Sequence, residues 1–256
     1  MSRPREPLPT RILDLPPLPP AAEDALDAGL ERLGLSLPSG ARDAVAGHLR
    51  LLLAWTATIN LTAIRDPLDA VTLHVLDSLA AVPLVRATGA GRLLDLGSGG
   101  GYPGLPLAVA IPLPALLVES IGKKARFLET AVDALDLRPA VAVAPVRAEA
   151  LARDPAHRER WPLVTARAVA ALADLVELAF PLLAPGGRLL AWKREPLDAE
   201  LTAARRAAGA MGSGRLSVEP VRLDGLDRHV LVVVEKRGAT PGAFPRDPAA
   251  RERRPW

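Results

Sequence analysis

The chain has 256 residues, 49% of them apolar, which is enough for one large domain or one domain with a small appendage. It contains no cysteine, which excludes disulfides, thiolate metal sites and thiol nucleophiles and fits a reducing, cytoplasmic setting. Lys and Arg number 32 against 29 Asp and Glu, a formal net charge of +3; the resulting basic pI permits a polyanionic partner without demanding one.

Residues 1–20 alternate proline with charge, lack the apolar centre of a secretion signal, and read as a disordered leader. Residues 21–88 read as a helical cap. Leu26, Leu30 and Leu33 share one face of a first helix; Val45, Leu49, Leu52 and Leu53 share one face of a second, with Ser39 as its candidate cap. Asn60-Leu61-Thr62 breaks the pattern, and a third helix after Pro67 carries Leu68, Val71, Val75, Leu79 and Val82 in register. Charges and prolines interrupt every apolar stretch, so no segment is expected to span a membrane.

From Arg92 the period changes. Apolar runs at 93–96, 115–119, 141–146, 163–166 and 188–193 read as strands, alternating with helical stretches at 105–111, 123–135, 148–153 and 172–183. A last helical stretch near 197–208 precedes two strands, 216–223 and 229–235, joined by Asp224-Gly225. Such alternation predicts an α/β fold with a mostly parallel seven-stranded sheet and helices on both faces, closed by an antiparallel pair. Residues 238–256, rich in proline and arginine, are expected to be a loose basic tail.

The run Asp95-Leu96-Gly97-Ser98-Gly99-Gly100-Gly101-Tyr102-Pro103-Gly104 is the richest in chemistry. A buried strand breaks into glycines and then meets Pro103 at the start of a helix. Glycines let the backbone approach a ligand, and the free N–H groups of a helix start face it. Glu119 closes the next apolar run, about twenty residues on, where nucleotide-binding folds place an acid on ribose hydroxyls. Gly99, Gly101 and Gly104 satisfy G-x-G-x-x-G, which keeps an NAD(P)-dependent oxidoreductase open. The D-x-G-x-G order and the closing antiparallel pair lean instead toward the Rossmann-like class I methyltransferase fold. The missing thiol disfavours methylation at pyrimidine C5. Thr165-Ala166-Arg167-Ala168 after the fourth strand, in place of an N/D-P-P-Y/F loop, disfavours exocyclic amines. An acceptor that already carries a lone pair remains, and it needs alignment more than a base.

Several segments together resemble the RsmG (GidB) family of small-subunit ribosomal RNA guanine-N7 methyltransferases. They are Asn60-Leu61-Thr62-Ala63-Ile64, His74-Val75-Leu76-Asp77-Ser78-Leu79, the glycine run, Glu119 to Leu128, Arg147-Ala148-Glu149, Thr165-Ala166-Arg167-Ala168 and, later, Asp227-Arg228-His229. The similarity runs from about Leu49 to Glu235. It implies an S-adenosyl-L-methionine-binding methyltransferase domain over residues 89–237, behind the cap. It also implies a 16S rRNA or small-subunit substrate, methylated at N7 of one guanine, guanine 527 by the resemblance.

By the same resemblance Gly97, Gly99, Gly101 and Tyr102 would contact the cofactor, Glu119 its ribose, and Ala148 and Glu149 its adenine. No catalytic base is implied; Arg167, near cofactor and substrate, is the candidate for positioning N7. Lys123, Lys124, Arg126, Lys193 and Arg194 are candidates for RNA phosphates, with a solvated basic face as the plainer reading. The chain departs from the family pattern in having Glu119 for aspartate, Lys124 for arginine, Arg194 for glycine and Tyr102 for phenylalanine or leucine. His74 and Asp77 share a helix face but are too few ligands for a metal, so a hydrogen-bonding role is expected. The expected unit is a cytoplasmic monomer without metal or membrane. A small-molecule methyltransferase and a non-catalytic assembly factor are the readings to be separated from it.

Overall fold

Short apolar strands alternating with amphipathic helices bury both faces of a sheet only when each crossover lays a helix against it. In the computed structural model, whose described residues are 8–212 and 214–256, the sheet has seven strands in the order β3-β2-β1-β4-β5-β7-β6. These are β1 (Leu93–Leu96), β2 (Ala115–Val118), β3 (Val141–Ala144), β4 (Trp161–Arg167), β5 (Leu183–Arg194), β6 (Gly214–Pro220) and β7 (His229–Lys236). Strands β1 to β5 are parallel, and β7 runs antiparallel between β5 and β6. The helices of this part are α6 (Gly104–Ala110), α7 (Gly122–Ala134), α8 (Ala148–Arg153), α9 (Leu172–Ala179), α10 (Asp198–Ala210) and α11 (Pro248–Arg253). Because β1 lies between β2 and β4, the chain leaves it on both sides, and a crevice opens at the strands' carboxyl ends.

Ahead of the sheet come α1 (Pro20–Arg32), α2 (Ala41–Thr56), α3 (Pro67–Ala70), α4 (Asp77–Leu79) and α5 (Val82–Thr88), with a π-helical segment, Val71–Leu76, joining α3 to α4. Gly40, in the left-handed region, precedes α2 in place of the expected Ser39 cap. The cap has no core of its own. Leu26, Val45, Leu49 and Leu52 belong to one apolar cluster with Leu93, Leu105 and Phe127, covering one face of the sheet. The other face is filled by a second cluster that includes Leu94, Val164, Leu175 and Leu189.

Three expectations need correction. Residues Pro67–Thr88 do form a 22-residue helical run, long and apolar enough to cross a membrane by length and composition. Its apolar side is spent inside the protein, where Val71, Val75, Leu79 and Val82 are fully buried, so it is a core element. Residues 1–7 lie outside the described residues, but 8–20 are not a loose leader. Trp55 Nε1 donates to Pro9 O at 2.7 Å, Arg50 Nε donates to Pro16 O at 2.7 Å, and Leu18 is buried. The tail is also docked. It contains α11, and its arginines meet buried carboxylates far away in sequence, which no local pattern reveals.

Candidate functional site

The crevice is built from the end of β1. Gly97, Gly99 and Gly101 have φ of 65°, 54° and 86°, left-handed values that admit glycine at little cost. Space is also exhausted at Gly97, where a Cβ would stand 2.6 Å from Val169 Cγ2. The turn is held open by Glu119 at the end of β2, whose carboxylate accepts from Gly99 N at 3.0 Å and Ile121 N at 2.8 Å. Each oxygen keeps a lone pair for a ligand.

Two cavities meet at Gly97. One, about 220 Å³, is lined by Thr62, His74, Gly99, Gly100, Tyr102, Lys124 and Arg167. The other, about 170 Å³, is lined by Glu119, Ser120, Val146, Ala148 and Glu149. A third, about 360 Å³, shares His74, Arg167 and Ala168 with the first and continues to Ile64, Leu73, Asp77, Trp192, Lys193, Arg194 and His229.

Beneath the glycines lies an aromatic stack. The Tyr102 ring sits between His48, 4.4 Å away, and His74, 5.0 Å away, with the Arg167 guanidinium 5.4 Å from its centre. His48 Nε2–H donates to Gly100 O at 2.8 Å, so a side chain of α2 fixes the loop from below. His74 pairs with Thr62 Oγ1 at 2.9 Å, and Arg167 donates to its Nδ1 at 3.3 Å. Burial, aided by the Arg167 charge, pushes His48 down to about 4 and His74 down to about 3, so both imidazoles are neutral at pH 7. Burial also pushes the Tyr102 phenol up.

Arg167 divides the first cavity from the third. It donates to Leu73 O at 3.0 Å and to Asp77 Oδ2 at 3.1 Å. The other oxygen of Asp77 accepts from His229 Nδ1 at 3.0 Å, and Trp192 Nε1 donates to the Asp77 carbonyl at 2.9 Å. A fully buried Asp77 is thus satisfied from β4, β5 and β7 together.

The expected residues separate by position. Gly97, Gly99, Tyr102, Glu119, Ala148, Glu149 and Arg167 all line the two joined cavities. Gly101 faces inward, where a Cβ would meet Leu105 and His48. Asp95 also points away from the crevice; Thr165 Oγ1 donates to it at 2.7 Å, and burial pushes its carboxyl up to about 6. Lys124 lines the first cavity and Arg194 the third, while Lys123 and Arg126 are exposed on α7. Lys193 lines the third cavity with its ammonium already paired, to Glu200 at 2.7 Å and Ala170 O at 2.9 Å. Phe127 is buried in the core, and the nearly buried Trp192 shows one edge to the third cavity. Sequence reasoning gave no role to His48 or His229: a lone histidine on an apolar helix face, or at the start of a strand, carries no signal of the distant group it will meet. Among the described residues no group of three or more His, Asp or Glu is placed to hold a metal.

A sequence profile of the GidB family, described as rRNA small subunit methyltransferase G, matches residues 42–231. The chain belongs to that family. A ribosomal RNA small subunit methyltransferase G of Roseiflexus castenholzii is 46% identical over 223 residues, 87% of this chain and 94% of its own length. One of Deinococcus deserti is 42% identical over 229 residues, 89% of this chain and 93% of its own length. Among solved structures, an O-methyltransferase from Bacillus cereus in complex with SAH covers 84% of this chain and 100% of its own, with a TM-score of 0.57 and 16% identity. That likeness is one of fold, a class I methyltransferase sheet with its antiparallel seventh strand. Family and fold together make the protein an rRNA methyltransferase, and the oxidoreductase and small-molecule readings fall away.

Proposed function

We propose that the protein transfers a methyl group from S-adenosyl-L-methionine to N7 of a guanine in 16S rRNA, offered as RNA or within the small ribosomal subunit. The observation that carries this reading is the pair of cavities joined at Gly97, with Glu119 on the wall of the second and a roomier basin across Arg167. A donor with a nucleoside at one end and an amino acid at the other fits the pair. Glu119 would accept from the ribose hydroxyls, Ala148 and Glu149 would border the adenine, and the N–H groups of the glycine turn would face the methionine end. Bound there, the donor supplies a methyl on a sulfonium, which needs a nucleophile in line rather than a base.

Guanine N7 carries its lone pair in the ring plane, so the protein has no proton to remove. The two neutral histidines fit that demand, being structural partners of Tyr102, Gly100 and Thr62. Arg167 is the positioning group: its guanidinium is immobilised by Leu73 O and Asp77 and stands where a base in the basin would approach the donor. Asp77, paired with Arg167, offsets the guanidinium charge that would otherwise oppose the positive charge the base acquires on transfer. Lys123, Lys124 and Arg126 open α7 with no acid in its first turn. Cations at a helix N-terminus oppose its dipole, by roughly 0.3–1 kcal/mol each, so an external anion such as RNA phosphate suits them. A cysteine-free rRNA enzyme suits the cytoplasm.

The test is methyl transfer from labelled S-adenosylmethionine to 16S rRNA and to small subunits, followed by nucleoside mass spectrometry. Label recovered as 7-methylguanosine at one position, guanine 527 by family likeness, is expected. Label on another atom of the base, or on none, refutes the assignment.

A further inference from the structure

Glu149 stands in the first turn of α8, buried, at the wall of the cavity that holds Glu119. Its Oε1 accepts from the Arg251 guanidinium at 2.5 Å, across 102 residues of sequence. Arg251 lies in α11 and also donates to Arg246 O at 3.0 Å. Arg246 grips both oxygens of Glu177, with its NH2 at 2.6 Å, and Glu177 is fully buried on α9. The Trp256 indole N–H donates to that carboxylate at 2.7 Å, and its ring lies 4.6 Å from the Arg246 guanidinium. Upstream, Arg158 donates to Thr240 O and Pro241 O at 3.1 Å. Residues 240–256 therefore form a strap anchored at both ends, whose middle delivers one arginine to the cavity wall.

A carboxylate this buried needs a partner to stay charged. Ionised, it is an acceptor with no donor of its own, the chemistry that suits an exocyclic amine of a base. Without Arg251 it would take up a proton or swing toward water, and either change alters what the wall offers. We infer that the C-terminal strap is a working part of the cofactor site: Arg251 is a positioning residue that holds Glu149 ionised and in place against the adenine end of S-adenosylmethionine. The inference rests on reading the cavity beside Glu119 as the adenosine end.

Calorimetric titration of the full chain with S-adenosylmethionine tests it, using Glu119→Ala, Glu149→Gln, Arg251→Ala, Arg251→Lys, Arg253→Ala and the Glu149→Gln/Arg251→Ala double variant. Arg251→Ala is expected to weaken binding about tenfold, the scale of coupling between contacting residues. Arg251→Lys recovers part of the loss, and Arg253→Ala, exposed on the same helix, binds as wild type. If Arg251 acts through Glu149, the double variant binds no more weakly than Glu149→Gln alone. In steady state the loss falls on KM for the cofactor, with kcat and KM for RNA unchanged. Wild-type affinity in Arg251→Ala, or a further tenfold loss on top of Glu149→Gln, overturns the strap's role. Should Arg251→Ala melt before titration, Arg251→Lys carries the same test through a smaller loss. Undiminished binding by Glu119→Ala is a separate failure: it removes the adenosine reading, and the inference with it.

Discussion

Under the proposed function, Glu119 serves loop and ligand at once. Its two oxygens hold Gly99 N and Ile121 N, so removing the carboxylate would both free the turn and take away the proposed ribose acceptor. Glu119→Ala should weaken S-adenosylmethionine binding by about a hundredfold, near 3 kcal/mol for two charge-assisted contacts. Glu119→Gln keeps one acceptor and should lose less, and isothermal titration separates the two. His48 makes a different prediction, in pH. Its folded pKa lies near 4 against an ordinary 6.5. Between those values the unfolded chain binds a proton that the folded chain refuses, so stability falls as pH drops from about 6.5 toward 4. At about 1.4 kcal/mol per unit, His48 contributes on the order of 3 kcal/mol to that loss. His48→Gln, which can still donate to Gly100 O, should flatten the decline of the urea midpoint over this window; an unchanged slope would mean that His48 is not the group responsible.

Among the elements, α6 is closely seated on the sheet. A Cβ on Gly104 would lie 2.6 Å from Leu117 Cδ2 and 2.8 Å from Asp95 Cβ, atoms of the two strands beneath it. Gly104→Ala must lift the helix, at about 1–3 kcal/mol as for other overpacked positions, read as a lowered denaturation midpoint and weaker cofactor binding. The first turn of α7 gives an electrostatic counterpart. If Lys123 and Lys124 meet phosphates, changing both to Gln should lower the slope of log K for RNA against log salt by about two, close to one per lysine. A slope equal to wild type would return them to a solvated face. The elements themselves are legible in the sequence because their signals are local. Apolar runs mark β1 and β2 almost to the residue, and glycines mark the turn between β1 and α6. Ends are less legible where pairing decides them: β4 and β5 reach back to Trp161 and Leu183, which pair with each other across the sheet. Gly97 and Glu119, proposed here to hold the cofactor, lie in or beside the local motif and could be read from it. His48, His229 and Arg251 could not, since each meets its partner 52, 152 or 102 residues away.

At the scale of the molecule, the segments that composition marks as loose are the ones that tie the layers together. Proline and arginine lower the apolar content of residues 238–256, but a strap can dock through charge when the body holds buried carboxylates for it. Glu177 is that anchor. Burial alone would raise its pKa, yet Arg246, the Arg246 backbone N–H and Trp256 together hold it below the ordinary carboxylate range. A carboxyl with a depressed folded pKa contributes stability that is present above its unfolded value and lost as pH falls through the folded one. Arg246→Ala leaves a fully buried charge without its partner, and a loss of about 3–5 kcal/mol is expected, as for other broken buried pairs. Glu177→Leu/Arg246→Met, which removes both charges, should cost much less, and its stability should no longer fall with acid below the carboxylate range beyond what the remaining groups impose. Urea titrations of the three proteins at pH 7 and in acid distinguish a needed ion pair from a merely occupied one. If Arg246→Ala unfolds at the wild-type midpoint, the tail is not anchored by this pair, and the docking of residues 240–256 must be sustained by Trp256 and Arg158 instead.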